Sequence, residues 1–383
     1  MKKTIYLDNA ATTKISDEVF SAMEPYLKDE YGNAGSLHKI GRTAYNAVAN
    51  ARKQVASLIN AEPSQIIFTS GGSEANNMAF YREDGRSNKV ALVSAVEHDS
   101  VLGASDRYYN RVLIPVSYNG ISISNLEKLL REHRNLVHIV SVMYTNNETG
   151  IRNPVKVVSE MCHREDVLFH TDCVQAVGYE KIDVNKIRCD FLSLSSHKIH
   201  GPKGVGALFV KNTDKLPAFI KGGNTQEFGK RGGTENVAGI VGFGKACELA
   251  EKHFDANVYY IDTLVKAFSN TLIACLCERN RLDKFFHVNG EYDGTKILNL
   301  RFDGIPNETL LMMLDANGVC VSAGSACTAS DHKASHVLTA MGYTEEQTNN
   351  SIRVSFSTMN SIDEVINAAR IIANCVQRIH EQL

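Results

Sequence analysis

Five polar clusters in this chain each follow an apolar run: Ser70-Gly71-Gly72-Ser73-Glu74-Ala75-Asn76, Glu97-His98, Asn146-Asn147-Glu148, Asp172 to Gln175, and Ser195-Ser196-His197-Lys198. A lysine at the end of a buried strand can carry a Schiff base, because burial lowers its pKa and leaves the neutral amine as a nucleophile. Taken alone, the stretch from Ser193 to Val210 is an apolar run, a glycine-bearing turn and a returning strand at Val205 to Val210, in which Lys198 and Lys203 are better read as loop charges, so the case for a catalytic role must come from the other clusters.

Gly72 and Ser73 lie between a strand-like run and a helix beginning near Glu74. Small residues at a helix start let a phosphate approach the backbone N–H groups. The spacing is neither a Walker A loop nor GxGxxG, and in isolation an ordinary serine cap is the better reading. Asp172 ends the apolar run Val167 to His170, where a carboxylate needs a cationic or hydrogen-bonding partner. The protonated pyridine nitrogen of pyridoxal phosphate is one such partner, and a structural ion pair is the other. His98 can stack on an aromatic ring and shuttle protons, or serve only the fold. Phosphate cradle, stacking imidazole, carboxylate and lysine, in that order, form the set that a pyridoxal-phosphate site requires.

Two further residues stand apart. Cys327 lies within Ser322-Ala323-Gly324-Ser325-Ala326-Cys327-Thr328-Ala329-Ser330, a run of small residues in which an exposed thiol can act as a nucleophile once ionised. The alternative is an incidental cysteine, the reading preferred for Cys162, Cys189, Cys247 and Cys375. Arg353, inside the alternating run Ser351 to Ser355, either grips a carboxylate bidentately or points to solvent.

These residues need a framework. Strand-like runs occupy Gln65 to Thr69, Val90 to Ser94, Val112 to Val116, Val137 to Met143, Val167 to His170, Phe191 to Leu194 and Val205 to Val210. Most are separated by enough chain for a crossover helix, which predicts an α/β fold with a mainly parallel seven-stranded sheet covered on both faces. Ligands of such sheets sit beyond the carboxyl ends of the strands, where the five clusters fall. Helical spacing predicts helices over 17–27, where Pro25 distorts the end, and over 41–60. After Asn257 the order changes, with a helix from Tyr259 to Cys275, strands over 296–302, 319–322 and 352–356, and helices near 308–317 and 362–379. We therefore expect a large cofactor-binding domain over 15–256. A small α+β domain, built from 1–14 and 257–383, carries the Cys327 loop.

Composition sets the bounds. At 383 residues the chain can bury two cores. Its 43 acidic against 41 basic residues recommend neither nucleic acid nor an anionic membrane as partner. No apolar run approaches the ~20 residues of a membrane span, and the N-terminus turns polar too soon for a signal peptide. Nine cysteines, an odd number with no CxxC pair, argue against a disulfide framework or metal site and for a reducing, cytoplasmic setting.

Over nearly its whole length the chain resembles the cysteine desulfurases of the NifS/IscS type, in the class V aminotransferase group of fold-type I pyridoxal-phosphate enzymes. The resemblance rests on Tyr6-Leu-Asp-Asn-Ala-Ala-Thr-Thr13, Ser196-His-Lys-Ile-His-Gly-Pro-Lys-Gly204, Arg231-Gly-Gly-Thr-Glu-Asn236 and Gly324-Ser-Ala-Cys327. It implies that Lys198 holds pyridoxal 5'-phosphate covalently, Asp172 pairs with its ring nitrogen, Gln175 approaches its ring hydroxyl and His98 stacks on it. It assigns the phosphate to Gly72, Ser73, Ser195 and His197, with Thr234 reaching the phosphate of the other subunit in a homodimer. Asn147 and Arg353 would hold the carboxylate of L-cysteine, and Asn33 and His38 would border the entrance. Cys327 would take the sulfur as a persulfide and pass it to an acceptor protein, an iron–sulfur scaffold or a tRNA thiolation enzyme.

Cys173, where a small residue such as alanine is expected, and Asp99-Ser100 depart from the family pattern. The sequence stops at Leu383 soon after the last predicted helix, so by the resemblance we expect it to lack the tail with which IscS-like members engage an iron–sulfur scaffold, which counts against that partner. Selenocysteine lyase, another class V reaction, or a sulfur-transfer docking role with little activity of its own are the alternative readings.

Overall fold

The computed structural model describes residues 4–223, 225–278, 282–292, 294–324 and 334–382; Cys327 and its neighbours Ser325 and Ala326 lie outside the described residues. A seven-stranded sheet has the order Ile66–Thr69, Gly206–Val210, Phe191–Ser195, Leu168–Asp172, Val137–Ser141, Val90–Ser94 and Asn110–Ile114. Gly206–Val210 runs antiparallel to both its neighbours, and the remaining pairs are parallel.

Both faces of this sheet are covered, and the strand period of two distributes the side chains between them. Ile66, Phe68, Val90, Leu92, Ala207 and Phe209 join one hydrophobic core, whereas the intervening Ile67, Ala91, Val93, Leu208 and Val210 join another on the opposite face. The edge strand runs over Asn110–Ile114 and so starts and stops two residues earlier than the sequence suggests. Pro115 has no N–H to continue the ladder, and Val116 instead pairs with Ile121 in a short separate hairpin. Helix Asp17–Lys28 accommodates Pro25, whose carbonyl oxygen accepts the Asp29 and Glu30 N–H groups and closes the last turn.

A further core surrounds an antiparallel sheet of Phe286–Val288, Ile297–Phe302 and Ser351–Ser355. It is packed by helices Phe254–Glu278 and Ile362–His380. The first of these helices is long and apolar enough to cross a membrane, contrary to the sequence expectation. Its Ile261, Leu264, Val265, Phe268, Leu272 and Leu276 are packed into the core.

The N-terminal segment joins the two bodies. Ile5–Tyr6 pairs in parallel with Val319–Cys320. Beyond it the Ser355 N–H donates to the Leu7 carbonyl at 2.7 Å, and the Thr13 N–H donates to the His197 carbonyl at 2.9 Å. Residues 8–13 are thereby strapped across the carboxyl end of the central sheet, over the loop that carries Lys198.

Candidate active site

A cleft of about 210 Å3 opens at that sheet edge, lined by Gly72, Ser73, His98, Asn147, Asp172, Gln175, Ser195, His197, Lys198 and Arg353. These come from different strand ends and from the small antiparallel sheet, so the fold assembles groups separated by up to the length of the domain. Thr234 and Asn33 stand elsewhere. Thr234 is exposed and lines a separate cavity with Ser70 and Gly204. Asn33 is exposed and its Oδ1 accepts the Gly35 N–H at 2.8 Å.

Lys198 follows Phe191–Ser195 in a single 3-10 turn, Ser196–Lys198. Its Nζ donates to the carbonyl oxygens of Ala10 at 2.5 Å and Ala11 at 2.8 Å, so the N-terminal strap orients the amine. His197 is fixed by the same strap, with Nδ1 3.1 Å from Thr12 Oγ1. Burial, followed by the nearby cations of Lys198, Lys203 and Lys296, pushes the His197 imidazole down to about 4, so it is neutral at ordinary pH.

Asp172 is 4% exposed. Its Oδ1 accepts the Val174 N–H at 2.9 Å and its Oδ2 accepts Asn76 Nδ2 at 2.8 Å. Both partners are neutral, which leaves lone pairs on a buried carboxylate for a cationic N–H. Asn76 also donates to Ser100 Oγ at 2.9 Å, and Ser100 Oγ lies 2.8 Å from His98 Nδ1. His98 caps helix Asp99–Tyr108 by accepting the Ser100 N–H at Nδ1. A neutral imidazole accepting there carries its proton on Nε2. Asn76 and Ser100 thus brace the carboxylate and the imidazole together. Neither has a role in the site on the sequence alone: Asn76 closes one of the polar clusters and Ser100 stands out only as a departure from the family pattern.

Gly72 and Ser73 open helix Gly72–Phe80, whose first-turn N–H groups have no intrahelical acceptor. A Cβ on Gly72 would lie 2.8 Å from Val174 Cγ2 and 3.6 Å from Ser195 Cβ, so a side chain there would crowd the wall of the cleft. With Ser195 and a neutral His197 beside it, the helix start suits an anion.

Arg353 answers the open question about its face: it is 1% exposed and lines the cleft. Its NH1 donates to the Asn147 carbonyl at 3.0 Å and its NH2 pairs with Asp8 Oδ1 at 2.8 Å. Arg353 Nε, Gln175 Oε1 and Asn76 Oδ1 are buried without protein partners, which suits a ligand carrying both acceptors and donors. The donor set therefore fits pyridoxal phosphate: an anion site, a buried carboxylate with neutral partners, a stacking imidazole and an amine. Among the described residues no group of three or more His, Cys, Asp or Glu side chains could hold a metal.

Behind the cleft, Glu97 is fully buried and pushed up to about 8, chiefly by desolvation and also by the Asp172 charge. Its Oε1 accepts the Met143 N–H, and Ser141 Oγ donates to Oε2 at 3.4 Å. His170 joins the same buried chain, with Nδ1 2.8 Å from Ser141 Oγ and Nε2 3.1 Å from Ser193 Oγ. Burial pushes His170 down to about 3. Both groups are neutral near pH 7, a state that only their three-dimensional packing reveals. Cys162, Cys173, Cys189, Cys247 and Cys375 are buried free thiols raised by desolvation, as expected of structural cysteines.

Residues 5–367 match the aminotransferase class-V family model. The chain is 37% identical to cysteine desulfurase IscS of Methanosarcina thermophila, covering 98% of this chain and 93% of that protein. A NifS-like protein from Rickettsia africae superposes with a TM-score of 0.86 at 28% identity, covering 99% of each chain. A structure of SspA in complex with cysteine gives a TM-score of 0.76 at 28% identity, covering 94% of this chain and 100% of that one.

Proposed function

The chain belongs to the aminotransferase class-V family, among its cysteine desulfurases, and from that premise we propose that it uses pyridoxal 5'-phosphate to convert L-cysteine to L-alanine, leaving the sulfur on Cys327 as a persulfide. The observation that carries this reading is the convergence of Lys198, Asp172, the Gly72–Ser73 helix start and Arg353 on one cleft. We divide the chain into a cofactor-binding domain over 15–256 and a small domain over 1–14 and 257–383. The separate cores around the central and antiparallel sheets support that division.

When bound, pyridoxal phosphate draws electron density from the substrate Cα and so acidifies its proton. Gly72, Ser73, Ser195 and neutral His197 would hold the phosphate, and His98 would flank the ring. Asp172 holds a proton at the ring nitrogen, and Gln175 orients the ring hydroxyl. Lys198 Nζ would hold the group, and its amine is the base placed to take the substrate Cα proton. Arg353 and Asn147 orient the substrate carboxylate, with Asn33 bordering the entrance. The Cys327 thiolate attacks the substrate sulfur: an S–S bond forms, the Cβ–S bond breaks, and a proton added at Cβ together with return of the proton to Cα completes alanine. Cysteine and the enzyme thiol thus give alanine and an enzyme persulfide with no external oxidant.

Tyr31, Leu37 and Thr234 are exposed, which fits a homodimer in which Thr234 meets the partner's phosphate site. The persulfide then passes to an acceptor protein, an iron–sulfur scaffold or a tRNA thiolation enzyme, in a cytoplasmic setting. Lys198→Ala should abolish covalent cofactor attachment and turnover. Cys327→Ala should retain the cofactor spectrum yet form no persulfide, and sulfide release from that variant at the wild-type rate would exclude Cys327 as the nucleophile. Mass spectrometry of co-purified proteins after labelling with 35S-cysteine identifies the acceptor.

A further inference from the structure

Lys296 is 2% exposed, yet among the described residues its ammonium has no ion-pair partner. Its backbone immediately precedes the strand Ile297–Phe302 of the small sheet, and the Lys296 carbonyl accepts the Phe356 N–H at 2.9 Å. Its side chain crosses to the back of the cleft. Nζ donates to the Lys198 carbonyl at 3.3 Å and lies 3.7 Å from the centre of the Tyr179 ring. A cavity there is shared by Lys296, Tyr179, Thr145 and Gln175, and both Thr145 Oγ1 and Gln175 Oε1 are buried without protein partners. Gln175 and Lys198 both donate to the Ala10 carbonyl, so Lys296 touches the same braced unit from the opposite side.

A buried ammonium with only a carbonyl and an aromatic face to stabilise it is costly, and a hydrophobic residue of similar length would avoid the cost. We infer that Lys296 is a positioning residue for Lys198: it anchors the Lys198 main chain from behind the cleft and, in its protonated form, sets a second positive charge against protonation of Lys198 Nζ. The inference rests on Lys198 being the lysine that attaches the cofactor.

The surrounding groups give the sign of the effect. Glu180 lines the same cavity, but its Oε1 is engaged by Arg152 Nε at 2.6 Å. Tyr179 is held neutral by burial. On the Lys198 loop, His197 and His200 are both pushed down, first by burial and also by the Lys296 charge, so neither neutralises it. Lys203 adds further positive charge to that loop. Asp172, His98 and Arg353, the last paired with Asp8, line the same cleft as Lys198. Burial and the Lys198 charge together drive Lys296 itself well below the ordinary lysine range, as two amines sharing one low-dielectric region must.

The test is a pH titration of the bound cofactor's visible absorbance in holoenzyme of wild type, Lys296→Met and Lys296→Gln. Both substitutions remove the charge, and glutamine keeps a donor for the Lys198 carbonyl. The expected result is a midpoint raised by about one pH unit in both, a tenfold gain in proton affinity. An unchanged midpoint in either folded variant overturns the inference. The pH dependence of Lys198 acetylation in the apoenzyme, followed by peptide mass spectrometry, reads the same effect without cofactor and should shift in the same direction. Borohydride reduction of wild-type holoenzyme then locates the attached lysine. Attachment at a residue other than Lys198 overturns the reading on which this rests, whereas attachment at Lys198 with unmoved midpoints overturns only the role of Lys296.

Discussion

Arg353 NH2 lies 2.8 Å from Asp8 Oδ1, so the arginine that faces the cleft from the small sheet is held by a carboxylate of the N-terminal strap. The guanidinium is buried, and removal of its partner leaves an uncompensated charge. Asp8→Ala should lower the unfolding free energy by about 3 kcal/mol, read by denaturant unfolding. It should also raise KM for L-cysteine roughly tenfold, because a carboxylate-binding group is less well aimed. A variant with unchanged stability and KM would show that the pair is dispensable.

Asn76 supports Asp172 through its 2.8 Å hydrogen bond. A hydrogen bond to a charged group contributes about 1.5–3 kcal/mol, so Asn76→Ala should weaken cofactor binding by roughly tenfold or more. Equilibrium titration of apoenzyme with pyridoxal phosphate checks this, and an unaltered Kd would mean that Val174 N–H and solvent suffice.

Gly206 faces the backbone that precedes the phosphate cradle. A Cβ there would lie 2.5 Å from the Leu194 carbonyl oxygen and 2.8 Å from Gly71. Gly206→Ala should therefore displace the start of helix Gly72–Phe80, costing about 1–3 kcal/mol in stability and loosening the cofactor. Thermal unfolding of apoenzyme and holoenzyme separates the two: a fall confined to the apoenzyme would leave the cradle intact.

The pH dependence of stability has opposing contributions. Glu97 is raised to about 8, so the folded state holds a proton that the unfolded state has lost, and stability falls as pH rises from about 4.5 to 8. His170 and His197 are lowered to about 3 and about 4, so their contribution is present above about 6.5 and is lost on acidification toward those values. Glu97→Gln keeps an acceptor for the Met143 N–H but cannot ionise. Relative to wild type its stability should therefore improve with rising pH, by up to ~1.4 kcal/mol per unit between pH 4.5 and 8. Chemical denaturation at pH 5 and pH 8 measures the difference; a constant offset would mean that Glu97 does not titrate in that window.

Much of the framework is legible along the chain because strands buried on both faces read as short apolar runs and leave polar clusters at their ends. The runs at 66–69, 90–94, 137–141 and 191–195 needed little adjustment, and Lys198, Asp172, His98 and Gly72 fall on the cleft that this topology creates. The strand beside Pro115 was displaced because a local donor, absent from proline, decides where the ladder ends. Long-range support was not legible. Asn76, Ser100 and Asp8 look like helix or turn polarity until folding brings them to a carboxylate, an imidazole and a guanidinium.

What the sequence alone determined is therefore the list of reactive groups and the alternating order of elements, since periodicity and residue chemistry are local properties. Tertiary structure decided which groups are charged and what holds them. Arg353 could have faced solvent and proved buried against Asp8. Glu97, His170 and Lys296 owe their displaced proton affinities to desolvation, a property of the surrounding packing that no local pattern encodes. Lys296 lies 98 residues from Lys198 in the chain and reaches its carbonyl only because the small sheet folds against the back of the cleft.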